Sequence, residues 1–287
     1  MNFKGLKRIL LLAVCLVTVL SAIPAQAIIP YSTYTYDIDG NYVESPHAYV
    51  PYEVISSQTL GLETPIANPY DMCTGRSTYM YNGVKTFYWD RMIYISDGDN
   101  ARVIAIKFND ETNTFDYAYE LKNFVNDWGV PDSISSPRGL YATDTELYVC
   151  DTDNNRILVF ATEGNTEYAE GDFIRIIAEP ESEVFPDDHI YKPIAVAVGT
   201  SGYIYVVSST TYQGIISLNS AGEFAGFIGT QSQSLTLMDM IWRRFQTAEQ
   251  KNKSTKNVST EFNNLNINEK GFIFASTASI SEDDMLK

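Results

Sequence analysis

The stretch LYVCDTDNNRILVF, residues 147–160, sets a run of oxygen-bearing side chains between two apolar segments. Asp151, Asp153 and Asn155 fall at the first, third and fifth positions of the calcium-loop pattern, where side-chain oxygens would surround a hard cation. The match then fails. Arg156 stands where the loop needs glycine, and Thr162 where it needs a bidentate glutamate. A near copy, IYISDGDNARVIAIKF at 93–108, keeps Asp97 and Arg102 but carries Ala101 in the place of Asn155. What recurs is an acid with an arginine five residues later. This spacing predicts structural turns in which Asp151 accepts turn amides and pairs with Arg156, and Asp97 does the same with Arg102.

Other chemistries find little support. The sequence contains no G-x-S-x-G, no H-E-x-x-H and no glycine-rich phosphate loop. His47 and His189 have no companions at zinc spacing and read as surface or loop histidines. The balance of residues therefore leans away from an enzyme and names no catalytic residue.

Composition narrows the class further. The net charge of −16 repels nucleic-acid phosphates and anionic lipid, so neither is an expected partner. Lys4, Lys7 and Arg8, the uncharged run Ile9–Ile23 and the small-x-small Ala25-Gln26-Ala27 read as a cleaved secretory leader over 1–27. The expected location is outside the cell or on its surface. Cys73 and Cys150 remain after cleavage; export permits a bridge between them, and a free buried thiol at Cys150 is the simpler reading. Tyrosine is frequent, at 20 residues, and is read as packing between sheets ahead of ligand stacking.

The elements that must position these residues repeat. A weaker third copy, YIYVVSSTTYQGIISL at 203–218, has Ser208 and Gln213 for the acid and the arginine, and a fourth begins at GFIFAST, 271–277. Pro69-Tyr-Asp-Met-Cys, Pro137-Arg-Gly-Leu-Tyr-Ala-Thr and Pro193-Ile-Ala-Val-Ala-Val-Gly precede the first three copies, and FDYAYELKNF, FIRIIAE and FAGFIG follow them. Each unit reads as four short strands with turns between, the pattern of a propeller blade.

The pattern P-x-G…[IL]-Y-V-x-D-x-x-N-x-R-[IL]-x-V-F resembles the NHL repeat of six-bladed β-propellers, most fully from Pro137 to Phe160. The copies cover about 69–277, so the resemblance implies an all-β propeller over 61–287. At about 45–55 residues per blade the chain supplies some four blades, an incomplete or truncated ring, for which self-association is expected. Preceding it, a tyrosine-rich segment over 28–60, with Tyr34, Tyr36 and Ile38 before Asp39-Gly40, predicts a hairpin that adds to a blade or closes the ring. Between the third and fourth copies, Leu235, Met238, Ile241, Trp242, Phe245 and Ala248 trace an amphipathic helix within an insertion at about 231–258. Arg243, Arg244, Lys251, Lys253 and Lys256 make that helix, 235–250, a candidate docking surface. A similar insertion followed by TEFNN occurs in exported bacterial NHL-type proteins of the clostridial kind, which implies a helper role in sugar uptake. In such a protein the sequons at Asn252 and Asn257 carry no meaning.

Aligning the copies places Asp71, Gly139 and Ala195 at equivalent channel positions, with Asn264 in the fourth copy and Asn263 beside it. Asp71, Arg138, Asn263 and Asn264 are the candidate residues for binding a ligand in the channel, and of these Asp71, Asn263 and Asn264 could hold a cation. Related propeller lactonases hold a divalent cation near this level, so calcium is the ion the resemblance would imply; Gly139 and Ala195 offer it no side-chain oxygen. The expectation is a non-catalytic binding or interaction scaffold for a protein, peptide or glycan, without a cofactor. The alternative is a metal-dependent propeller enzyme of the lactonase or lyase type.

Overall fold

The computed structural model describes residues 33–45, 54–81, 84–185, 189–211, 213–229, 262–268 and 270–277, without the side chains of 76–90. The leader, His47, the insertion at 231–258 with its amphipathic helix and basic residues, and both sequons lie outside the described residues.

The chain divides into two compact units, Met1–Val54 and Ile55–Lys287. In the first, β1 (Thr33–Tyr36) pairs antiparallel with β2 (Tyr42–Ser45). The connection is organised by Asp37, whose Oδ1 accepts the amides of Asp39 at 2.9 Å and Asn41 at 2.8 Å, while Gly40 takes φ +79°. Tyr34 packs against Tyr36 and Tyr42 at ring-centroid distances of 5.7 and 5.2 Å.

The second unit is all β. A single 3-10 turn, Thr152–Asn154, is the only helical element among its described residues. One four-stranded antiparallel sheet contains β3 (Pro69–Tyr81), β4 (Val84–Asp97), β5 (Arg102–Asn109) and β6 (Thr114–Leu121) in that order. A short hairpin of β7 (Asn123–Val125) and β8 (Pro131–Ser133) follows. The next sheet holds β9 (Pro137–Ala142), β10 (Glu146–Asp151), β11 (Arg156–Ala161) and β12 (Phe173–Ile177). The third holds β13 (Pro193–Val198), β14 (Ile204–Ser208), β15 (Ile215–Leu218) and β16 (Phe224–Ile228). A two-stranded sheet of β17 (Phe262–Ile267) and β18 (Ile273–Thr277) completes the set. The first strands of successive sheets, β3, β9, β13 and β17, pack against one another in chain order. Meander sheets joined at their first strands form a β-propeller-type array of blades.

Strand chemistry explains this packing. In β10, alternate side chains point to opposite faces. Leu147 and Val149 join a core with Tyr94, Val103 and Ala105 of the first blade, whereas Tyr148 and Cys150 join another with Val196, Ile204 and Ile216 of the third. Strand β11 divides likewise, Leu158 and Phe160 toward the first blade, Ile157 and Val159 toward the third. A strand buried on both faces must be apolar at every position, so these segments read as continuous runs. Each such side chain contributes about 1.5–3 kcal/mol through burial. The segment after Ile55 is recruited too: Leu60 is buried with Ile104 and Ile106 of β5, and Ile55, Leu62 and Ile66 pack against that cluster.

The two free cysteines sit at different blade interfaces, which separates their thiols. Cys73 packs against the cluster between the first and second blades, and Cys150 is fully buried in the cluster between the second and third.

The two Asp–Arg turns need a left-handed residue at the same place. Asn155 adopts φ +56° and Ala101 φ +52°. Asparagine tolerates this conformation; alanine is strained there by about 1–2 kcal/mol. Ala101→Asn is therefore expected to stabilise the chain by about 0.5–1 kcal/mol, measured as a rise in urea midpoint at unchanged slope.

Candidate functional site

The acid–arginine pairs form a latch repeated in two blades. Arg156 Nε donates to Asp151 Oδ2 at 2.8 Å, and Arg102 Nε donates to Asp97 Oδ2 at 2.8 Å. The second oxygen of each aspartate accepts a backbone amide, Ser135 N at 2.8 Å for Asp151 and Ala67 N at 2.8 Å for Asp97. These amides belong to the segments that enter β9 and β3. The acid thus ties the hairpin between a blade's second and third strands to the start of its innermost strand. An asparagine completes each latch, Asn154 Nδ2 to Asp151 Oδ2 at 2.9 Å and Asn100 Nδ2 to Asp97 Oδ2 at 2.9 Å. In the third blade Ser208 Oγ accepts the amide of Lys192 at 3.1 Å, so a hydroxyl captures the backbone where the acid is missing.

Each arginine has a further anchor. Arg156 forks onto Asp132 at 2.7 and 2.9 Å, and Arg102 Nη1 donates to Glu120 at 2.8 Å. The Arg156 fork holds the Asp132 carboxyl well below the usual carboxylate range. A depressed folded pKa adds stability at neutral pH that is lost as pH falls below the unfolded value of about 3.9. Asp71 behaves oppositely, because burial pushes its carboxyl above 3.8 despite two amide hydrogen bonds. Its ionisation therefore lowers stability as pH rises from the unfolded pKa through the folded one. Urea midpoints measured from about pH 2 to 6 should rise less steeply with pH in Asp132→Asn than in the parent, and more steeply in Asp71→Asn.

The inner strands carry the channel candidates. Asp71 Oδ2 accepts the amide of Leu140 in the next blade at 2.9 Å, and Oδ1 accepts that of Met72 at 2.9 Å. The carboxylate is a staple between first and second blades. Gly139 lies so close to β13 that a Cβ there would stand 2.6 Å from both Ala195 Cα and Ile194 O. Small residues at Gly139 and Ala195 thus permit close approach of inner strands. Asn263 Oδ1 accepts the hydroxyl of Ser276 at 2.6 Å, and Asn264 Oδ1 accepts the amide of Leu265 at 2.6 Å. Arg138 lies at the start of β9, its guanidinium 4.7 Å above the Tyr70 ring.

Calcium takes about six to eight oxygens, and these positions make a sparse set for it: each bonded oxygen of Asp71, Asn263 and Asn264 also accepts an amide or a hydroxyl, and the two small residues contribute no side-chain oxygen. Among the described residues no group of three His, Cys, Asp or Glu side chains is placed to hold a metal ion.

A concavity of about 1090 Å³ opens along the inner strands. Its lining includes Asp71, Cys73, Thr143, Thr200, Asn266 and Phe274. Hydroxyls, amides and aromatic rings supply hydrogen bonding and stacking there, beside the carboxylates of Asp144 and Glu146. Burial pushes the Cys73 thiol well above its ordinary value, which suppresses the thiolate.

Sequence reasoning missed the setting of His189. Its side chain is only 7% exposed, Nδ1 lies 2.9 Å from Glu179 Oε1, and Nε2 lies 2.9 Å from Thr211 Oγ1. The ring also packs on Phe185 at 4.6 Å. The histidine clasps the connection before β13 to the turn after β14. No local motif announces it, since Glu179 and Thr211 lie 10 and 22 residues away.

No protein-family model and no curated protein matches the sequence. Solved structures do resemble the fold, and these neighbours are β-propeller-like proteins. Glutaminyl cyclase of Myxococcus xanthus is 11% identical, with 75% of this chain and 70% of that one covered at a TM-score of 0.39. An inactive form of virginiamycin B lyase from Staphylococcus aureus is 12% identical, covering 86% and 84% of the two chains at 0.39. PorZ, a surface component of the Porphyromonas gingivalis type-IX secretion system, is 10% identical, covering 85% and 28% at 0.42.

Proposed function

We propose that the chain is an exported NHL-type propeller protein that acts as a non-catalytic binding scaffold, with a protein, peptide or glycan held along the inner strands. The observation that carries this reading is the concavity itself, whose hydroxyls, amides and rings suit recognition, while Asp71, one of its acids, is occupied as an interblade staple. A helper role in sugar uptake is one form of the same reading. Nucleic acid is disfavoured by the charge of −16. The scaffold is proposed to work without a resident metal, which elemental analysis after dialysis checks.

Thr143→Arg fills the concavity from a surface turn. Peptide and glycan arrays should show binding by the parent and its loss in this variant. Turnover of lactones or peptidyl amides by the parent, abolished in a folded Asp71→Asn, would replace the scaffold with the metal-dependent enzyme reading.

A further inference from the structure

On a chain with 36 acidic and 20 basic residues, an arginine without an acid is informative. Five arginine side chains are described. Arg91 pairs with Asp110, Arg102 with Asp97 and Glu120, Arg156 with Asp132 and Asp151, and Arg175 approaches Glu146. Of these, Arg138 alone has no carboxylate and no hydrogen-bond partner among the described residues, and its Nε is buried and unsatisfied. Its one aromatic partner is itself held in place. Asn68 Nδ2 donates to the Tyr70 hydroxyl at 3.1 Å and to Asp99 at 3.2 Å, and the Tyr70 ring covers Gly98 so closely that a Cβ there would stand 2.4 Å from it. Tyr70 is nonetheless 44% exposed.

We propose that Arg138, seated on the Tyr70 ring, is an anchor for the carboxylate of the scaffold's ligand. The ring contact at 4.7 Å restrains the guanidinium from one side, and its Nη groups, unlike the buried Nε, are not enclosed, which offers a carboxylate two N–H donors. A guanidinium already held on a ring loses less freedom on binding than a free one. A monoanion suits the site better than a phosphate, because one guanidinium balances one charge and the surrounding net charge repels a dianion more strongly. The anchor is separate from the concavity, whose lining does not include Arg138; Thr143 lies just beyond the other end of β9. The assignment rests on the binding reading of the inner strands.

The test is an NMR titration of the full nitrogen- and carbon-labelled chain with benzoate, its neutral analogue benzamide, and phenyl phosphate, following the Arg138 Nε–H and the Tyr70 ring. Benzoate should shift both signals saturably, benzamide should not, and phenyl phosphate should bind more weakly than benzoate. Arg138→Gln should weaken benzoate at least about tenfold, and Arg138→Lys should not restore it, because the ammonium has neither fork nor stack. Equal response to benzoate and benzamide, no response to benzoate, tighter phosphate binding, or full affinity in either variant would overturn the proposal. Thr143→Arg separates the two readings. Array binding lost in that variant with the benzoate response kept supports both; array binding by a parent that ignores benzoate overturns the anchor and keeps the scaffold, whereas a parent that answers benzoate but binds nothing on the arrays removes the scaffold and, with it, the ligand assigned to Arg138.

Discussion

Asp97→Ala is expected to lower the unfolding free energy by about 3–5 kcal/mol, the cost of breaking a buried ion pair from one side. Asp97 is fully buried, and Arg102 retains 7% side-chain exposure. Removing the acid leaves the guanidinium with Glu120, itself 37% exposed, and with the Thr64 carbonyl, and strips the Ala67 amide of its acceptor. Asp151→Ala should cost less, since Arg156 keeps its two-point contact with Asp132. The double variant Asp97→Ala/Arg102→Leu should recover a large part of the loss, because an apolar replacement leaves no charge buried alone. Urea unfolding of the three proteins checks the order. An Asp97→Ala midpoint within error of the parent would show that the latch contributes nothing to stability.

The second large effect is expected at Gly139. Valine there places its branched side chain against the backbone of Ile194 and Ala195, at contacts of 2.6 Å for the first carbon alone. Backbone cannot rotate away as a side chain would, so the second and third blades must separate at their inner strands. Overpacking of this kind costs about 1–3 kcal/mol, with the upper end expected where strands cannot shift. Separation would also strain the staple from Asp71 to Leu140, one residue along. Gly139→Val should therefore lower the thermal midpoint and weaken array binding together. Unchanged stability would mean that the inner strands have slack the structure does not display.

Much of the architecture was legible because a blade strand leaves a strong local trace. The apolar runs around 147–160 mark a strand pair buried on both faces, and the repeated acid and arginine mark the turn between its strands. The source of the captured amide was not legible. Asp151 takes it from Ser135, ahead of β9, and not from its own turn, because a carboxylate bonds whichever donor the folded backbone presents. Asp71 shows the same gap. In sequence it is one acid in a channel position; in the structure its oxygens belong to two backbone amides, one from the neighbouring blade. His189 and Arg138 lie further from reach, since burial and pairing depend on residues many positions away.

By itself, then, the sequence determined the class of strands, their grouping in fours, the two Asp–Arg turns and the acidic surface. Each depends on residue types within a few positions, where alternation and turn chemistry act. Only the tertiary structure decided which amides the aspartates capture, how the His189 ring is enclosed, that Cys73 and Cys150 stay unpaired and that Arg138 meets no acid among the described residues. Those are properties of contacts between blades, and the distance between blades is set by packing that no single repeat contains.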